Sequence, residues 1–157
     1  MTPPDLPRPL RPLRQAERLV HNHLLNPNEF WLRYPIATYA KTESDFYEGS
    51  KTGECNWRGP AWIPTNYIIF HGPVQYGYES VARQLALKTI QMALNENAVT
   101  REYYNSDTGK GNGMNPFWGW SFLAYVVPFD LVQHYNPMDL HGAIRPLISD
   151  ELGVKFE

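Results

Sequence analysis

The chain has 157 residues, a formal net charge of −2 and a pI near 6.2, with 14% aromatic against 19% charged side chains. That near-neutral balance leaves no electrostatic footprint for nucleic acid or for an anionic membrane surface. A chain of this length makes one domain that buries roughly 68–70% of its unfolded surface, and its aromatic excess favours a ligand cleft or buried interfaces.

In chain order, MTPPDLPRPLRP carries prolines at positions 3, 4, 7, 9 and 12 and no apolar leader. Residues 1–13 are therefore expected to be a polyproline-like or disordered lead-in, and the expected compartment is the cytoplasm. A first helix is predicted from Arg14 to Leu25, with Ala16, Leu19, Val20 and Leu24 forming its apolar stripe and Asn26-Pro27 ending it. Residues 35–56 show no periodicity and read as one long loop, a length that in compact domains goes with function or disorder. Cys55 lies near its end. As the sole cysteine it forms no disulfide framework, and it is expected to be a small half-buried side chain.

A second helix is predicted from Pro60 through Phe70, broken by Gly72-Pro73, with Trp62 and Asn66 on one face. The clearest helix spans residues 82 to 94, where Ala82, Leu85, Ala86, Thr89, Ile90, Ala93 and Leu94 follow the 3.6-residue period. After it comes TREYYNSDTGKGNGMNPFWGWS, residues 100–121, whose loop carries the three glycines Gly109, Gly111 and Gly113 and the three asparagines Asn105, Asn112 and Asn115 and is edged by Tyr103, Tyr104, Phe117, Trp118 and Trp120. Glycine and asparagine accept turn conformations, but so many aromatic rings beside one carboxylate, Glu102, read as a pocket floor. A final helix from about Trp120 to Val132 is apolar nearly all round and must be covered by neighbours, with Pro128 kinking it or ending its regular part. No stretch is apolar over the roughly 20 residues a membrane span takes, and there is no strong strand signal.

Sugar faces stack on indole and phenol rings while a carboxylate activates water or orders hydroxyls, so Glu102 among these aromatics is suited to carbohydrate chemistry. The string Glu102-Tyr103-Tyr104-Asn105, with Thr108-Gly109 and Gly111 after it and then Phe117-Trp118-Gly119-Trp120-Ser121, resembles the catalytic-base segment of the six-hairpin inverting glycoside hydrolases. Trp57-Arg58-Gly59-Pro60-Ala61-Trp62, followed by Asn66-Tyr67, resembles a signature of the mannosylglycerate hydrolase-like and processing α-glucosidase I branch of that clan, which also includes trehalase. Tyr34-Pro35-Ile36 with Asp45-Phe46 is a weaker third match in the same order.

The resemblance implies an all-α fold, a partial (α/α)6 toroid over residues 14–135 with long loops lining a concave face; after it the helix-breaking Asn136-Pro137 and Pro146 make 136–157 a C-terminal tail, expected to be a partly ordered loop or arm. It implies Glu102 as the general base and Trp57, Arg58, Gly59, Trp62, Asn66, Tyr67, Tyr103, Trp118 and Trp120 as substrate-binding residues. Taken singly, each tryptophan serves core or ligand equally well, Arg58 suits a substrate group or an acidic neighbour, and Asn66 and Tyr67 could cap and pack a helix. The implied substrates are α-linked glucosides or mannosides, glycosyl-glycerates among them, with no cofactor. The five histidines show no metal-ligand spacing and no nucleotide-binding loop is present, so metal and cofactor chemistry have no motif behind them.

In the family the general acid is an aspartate of an E-S-G-x-D-like motif, which this sequence does not contain; Glu43-Ser44-Asp45 imitates part of it in a different place. The alternative is thus a carbohydrate-binding or interaction module derived from the family. The expected partners are a carbohydrate and either the complementary part of the domain or a second copy.

Overall fold

The computed structural model describes residues 14–49 and 55–133. The expected lead-in over 1–13 and tail over 136–157 lie outside them. The described chain is rich in helix, with one small sheet. Helix α1 (Arg14–Arg18) runs directly into a π-helical turn, Leu19–Leu24. Of the predicted stripe only Val20 is buried, while Leu19 is 62% exposed and Leu24 packs partly against the core. The wider π turn shifts side chains off the 3.6-residue register, so the predicted α-helical face does not form intact.

Helix α2 (Ile63–Gln75) begins three residues later than the Pro60 start. Trp62 is its extended N-cap, and Pro64 takes the early position where a missing N–H costs nothing. The delay has a cause in pairing: Ala61 bridges antiparallel to both Ala37 and Tyr104, holding the chain straight up to the cap. At the other end Gly72-Pro73 does not break the helix, and Tyr76 still donates its N–H to the Gly72 carbonyl at 3.0 Å. Helix α3 (Glu79–Asn95) buries Ala82, Leu85, Ala86, Thr89 and Ala93 from the predicted stripe and adds Val81 and Met92. Leu94 is 55% exposed. Helix α4 (Leu123–Gln133) follows a single 3-10 turn, Trp120–Phe122, and carries Pro128 internally.

Strands β1 (Tyr103–Tyr104) and β2 (Gly111–Asn112) pair antiparallel, Tyr103 with Asn112 and Tyr104 with Gly111. This sheet corrects the all-α expectation in a limited way, because two-residue strands carry no alternation for a sequence pattern to show. The three long helices pack on one another in every pairing. One core cluster, with Ile36, Phe70, Ala82, Leu85, Ala86 and Val127, fills the space between them. A second, with Tyr34, Ala61, Ile63, Met92, Ala93, Tyr104 and Ala124, lies under the ladder residues. Ile68, Leu87, Phe129 and Val132 remain more than half exposed on the helices.

Two buried polar arrangements join these parts. Asn66 is fully buried, its Oδ1 accepting the Ile36 N–H at 2.9 Å and its Nδ2 donating to the Pro35 carbonyl at 3.0 Å and to Thr89 Oγ1 at 2.9 Å. One amide therefore ties the 35–36 segment to α2 and α3. Between α2 and α4, Tyr67 donates to Asp130 Oδ2 at 3.0 Å, and His71 Nε2 lies 3.7 Å from the same oxygen with the ring buried. Burial pushes the His71 pKa down and the Asp130 pKa up, the latter opposed by the Tyr67 hydrogen bond.

Replacing Asn66 with Ala leaves the buried Ile36 N–H and Pro35 carbonyl bare, at about 1–3 kcal/mol for each unpartnered group. Urea denaturation should show that loss, and a stability within error of the parent would refute the tie. His71 has a second consequence. Because the folded ring is held below the ordinary value of 6.5, the unfolded chain takes up the proton first as pH falls, and stability drops as pH falls through 6.5 toward the lowered folded value. Asp130, raised above 3.8, acts in the opposite sense at lower pH. The melting temperature of His71→Gln should be flatter across the upper window than that of the parent.

Candidate active site

The site is built where four segments meet. The first two are locked by reciprocal backbone bonds: Ala61 N–H to the Tyr104 carbonyl at 2.7 Å and Tyr104 N–H to the Ala61 carbonyl at 2.9 Å. This pairing sets Trp62 against the start of β1. Trp62 is wholly buried, its ring stacked on Trp57 with centroids 3.6 Å apart and planes at 13°, and on Tyr103 at 5.0 Å and 19°. Its indole N–H donates to the Asn56 carbonyl at 2.8 Å, as a buried Trp N–H requires. Trp120 leans on Trp62 at 6.0 Å and on Phe117 at 4.8 Å.

Glu102 immediately precedes Tyr103 in the chain and is half-buried. Its Oε1 accepts from the Cys55 thiol at 2.9 Å and its Oε2 from the Met114 N–H at 3.0 Å. The second contact depends on Gly113, which has φ +69° and whose missing Cβ would stand 2.5 Å from Glu102 Oε2. The loop carrying these groups is closed at its base by Thr100 and Phe117. Phe117 donates its N–H to the Thr100 carbonyl at 2.8 Å, and the Thr100 hydroxyl donates back to the Phe117 carbonyl. Its far turn is wound by Asn105, whose Oδ1 accepts from the Asp107 and Thr108 N–H groups. Ser121 touches the Glu102 carbonyl at 3.4 Å, bringing the fourth segment in.

The ten residues singled out in the sequence therefore do not form one surface. Trp57 and Trp120 are 48% and 42% exposed and both lie against Trp62, while Trp118 is 58% exposed. Arg58 is also exposed, its guanidinium 5.9 Å from the Tyr47 ring centroid. Trp62, Gly59, Asn66 and Tyr103 are buried. Gly59 offers its carbonyl to Thr38 N–H and Ser106 Oγ, and a Cβ there would meet the Tyr47 carbonyl at 2.8 Å. Tyr67 is partly buried, bonded to Asp130 on the α2–α4 side. Asn66 and Tyr67 thus serve the helix packing, while Trp62 and Tyr103 hold Trp57 from behind.

Cys55 corrects an expectation: the thiol is exposed rather than half-buried, and it is a partner of Glu102. Nothing in sequence spacing could have found it, because 47 residues separate the pair. The hydrogen bond from the thiol to Glu102, with smaller contributions from burial and the carboxylate charge, pushes the Cys55 pKa up, so the thiol stays protonated as a donor. Asp45 is exposed. Glu48 accepts the Ser106 N–H at 2.9 Å, its other oxygen is buried with no partner among the described residues, and burial pushes its pKa up. Burial also pushes the Tyr104 phenol up to about 12, its hydroxyl oxygen accepting the Arg101 N–H at 2.9 Å. Among the described residues no group of three His, Cys, Asp or Glu could hold a metal ion, and no helix is long and apolar enough to cross a membrane.

A carboxylate fixed by two donors one residue from the Tyr103–Trp62–Trp57 stack, on a helical framework, is an arrangement suited to carbohydrate chemistry. The sequence model of the mannosylglycerate hydrolase MGH1-like glycoside hydrolase domain matches residues 9–121, and the chain belongs to that family. It is 42% identical over 89 residues to a mannosylglycerate hydrolase of Thermus thermophilus, covering 57% of this chain and 20% of the relative. It is 32% identical over 110 residues to a probable mannosyl-oligosaccharide glucosidase of Schizosaccharomyces pombe, covering 62% of this chain and 13% of the relative. Among solved structures, the Thermus thermophilus GH63 mannosylglycerate hydrolase in complex with glucose superposes with a TM-score of 0.60 at 27% identity, over 75% of this chain and 27% of that one. The chain thus spans a fifth or less of the length of these two curated relatives.

Gly113→Ala tests the seat of Glu102. A side chain at φ +69° costs about 1–2 kcal/mol in backbone strain, and its methyl drives the carboxylate off the Met114 N–H. Chemical denaturation should register that cost. Parental stability together with parental behaviour of Glu102 would refute the contact.

Proposed function

We propose that this chain is the base-bearing portion of an inverting glycoside hydrolase domain, a part of an (α/α)6 toroid, acting on α-linked glucosides or mannosides such as glycosyl-glycerates. The observation that carries the reading is the Glu102 carboxylate, held by two donors one residue from Tyr103, whose ring belongs to the stack with Trp62 and the partly exposed Trp57. A carboxylate has about four lone-pair positions, so two donors leave room for a water. Glu102 would deprotonate that water while the sugar stacks on the indoles. Trp62 and Tyr103 support the platform without touching the substrate. The names of the relatives point to the substrate class, mannosylglycerate on one side and glucosylated oligosaccharide on the other.

In an inverting pair the acid stands roughly 6.5–9.5 Å from the base. The sequence has no match to the family's acid motif, so this chain by itself should turn over natural glycosides very slowly, since acid–base assistance is typically worth about 10²- to 10⁴-fold. Glycosyl fluorides need less protonation of the leaving group and are the substrates to use. Their hydrolysis should disappear in Glu102→Gln, while sugar binding followed by tryptophan fluorescence persists. Binding should weaken about tenfold in Trp57→Ala. Sugar binding with no hydrolysis even of the fluoride would favour the binding-module reading, and neither binding nor hydrolysis would refute both.

A further inference from the structure

We propose that Cys55 is the positioning residue of the base, and that its thiol proton is part of the active form of the site. The inference rests on the reading of Glu102 as the base. Glu102 has one donor on each oxygen, but the two differ in kind. The Met114 N–H belongs to a backbone that cannot lose its proton. The Cys55 Sγ–H can lose it, and it lies 2.9 Å from Oε1 on an exposed side chain.

While the thiol keeps its proton it fixes the rotation of the carboxylate plane and leaves the remaining lone pair of Oε1 pointed in one direction. Once the proton is lost, a thiolate and a carboxylate face each other at hydrogen-bonding distance. Like charges at that range repel, so the carboxylate swings away and keeps only the Met114 contact. The carboxylate in turn disfavours the thiolate, the direction in which the Cys55 pKa is shifted. Hence the site protects its own donor across neutral pH and loses it in alkali.

The first measurement reads the contact without needing turnover. Cys55 is the sole cysteine, so alkylation by iodoacetamide, followed by mass spectrometry, reports its thiolate fraction alone. Removing the carboxylate in Glu102→Gln should speed alkylation at pH 8 by about three- to tenfold. Glu102→Asp, which draws the carboxylate back by one methylene, should speed it in the same direction and covers the case in which Glu102→Gln does not fold. Equal rates in the parent and in natively folded variants would overturn the proposal.

The second measurement reads the role. With a glycosyl fluoride, Cys55→Ala should lower kcat about three- to tenfold with KM unchanged, and Cys55→Ser, which keeps an O–H donor, should restore it. Cys55→Ser should also lack the alkaline fall in rate that the parent shows, because a serine hydroxyl does not titrate there. Indistinguishable Ala and Ser variants, or an alkaline limb retained in Cys55→Ser, would overturn it. Absence of all turnover in the parent would refute Glu102 as a working base, and the alkylation rates would still decide whether the thiol holds the carboxylate.

Discussion

The pair of backbone hydrogen bonds between Ala61 and Tyr104 is the constraint on which the rest of the structure depends. Backbone pairing fixes register to the residue, so everything on either side of it is placed together. On one side it stops α2 from starting before Ile63 and turns Trp62 inward. On the other it puts Tyr103 behind that indole and Glu102 one residue further back. Ala61 also bridges to Ala37, and at this doubly paired point so small a residue is completely buried. A larger side chain would meet the second core cluster, of which Ala61 is itself a member.

The platform and the framework are stabilised by different means. The framework relies on apolar packing among α2, α3 and α4, with Asn66 as a polar tie. The platform has little such packing and relies on rings and local hydrogen bonds: Trp57 on Trp62, Trp62 on Tyr103, Thr100 with Phe117, and the Asn105 turn. Such a division suits a surface that must remain open to a ligand, because stacked rings present one face while the other is used for support.

Helix α3 was legible in the sequence because it lies in a single local environment, with one side on α2 and α4 and the other in water, and five of its seven expected stripe residues are buried. Helix α2 was legible in existence but not in extent. Its start is decided by the Ala61 pairing, a contact 43 residues away in sequence, and its passage through Gly72-Pro73 by packing of the buried Pro73. The aromatic set was visible as a resemblance of motifs, but which of its rings are exposed was not. Whether a tryptophan faces solvent or core depends on which ring stacks behind it, and no local spacing carries that. Cys55 is the clearest omission, since its role comes wholly from a long-range contact.

The stack of Trp57 on Trp62 has an optical consequence. Two indoles 3.6 Å apart and inclined by only 13° are close enough for their transition dipoles to mix, so they behave as one chromophore with split bands rather than as two separate rings. Trp57 faces solvent and Trp62 does not, which makes the pair asymmetric toward anything that settles on the outer ring. A change in polarity on that one face would shift the coupled bands of both, giving the site a built-in circular dichroism signal without an added label.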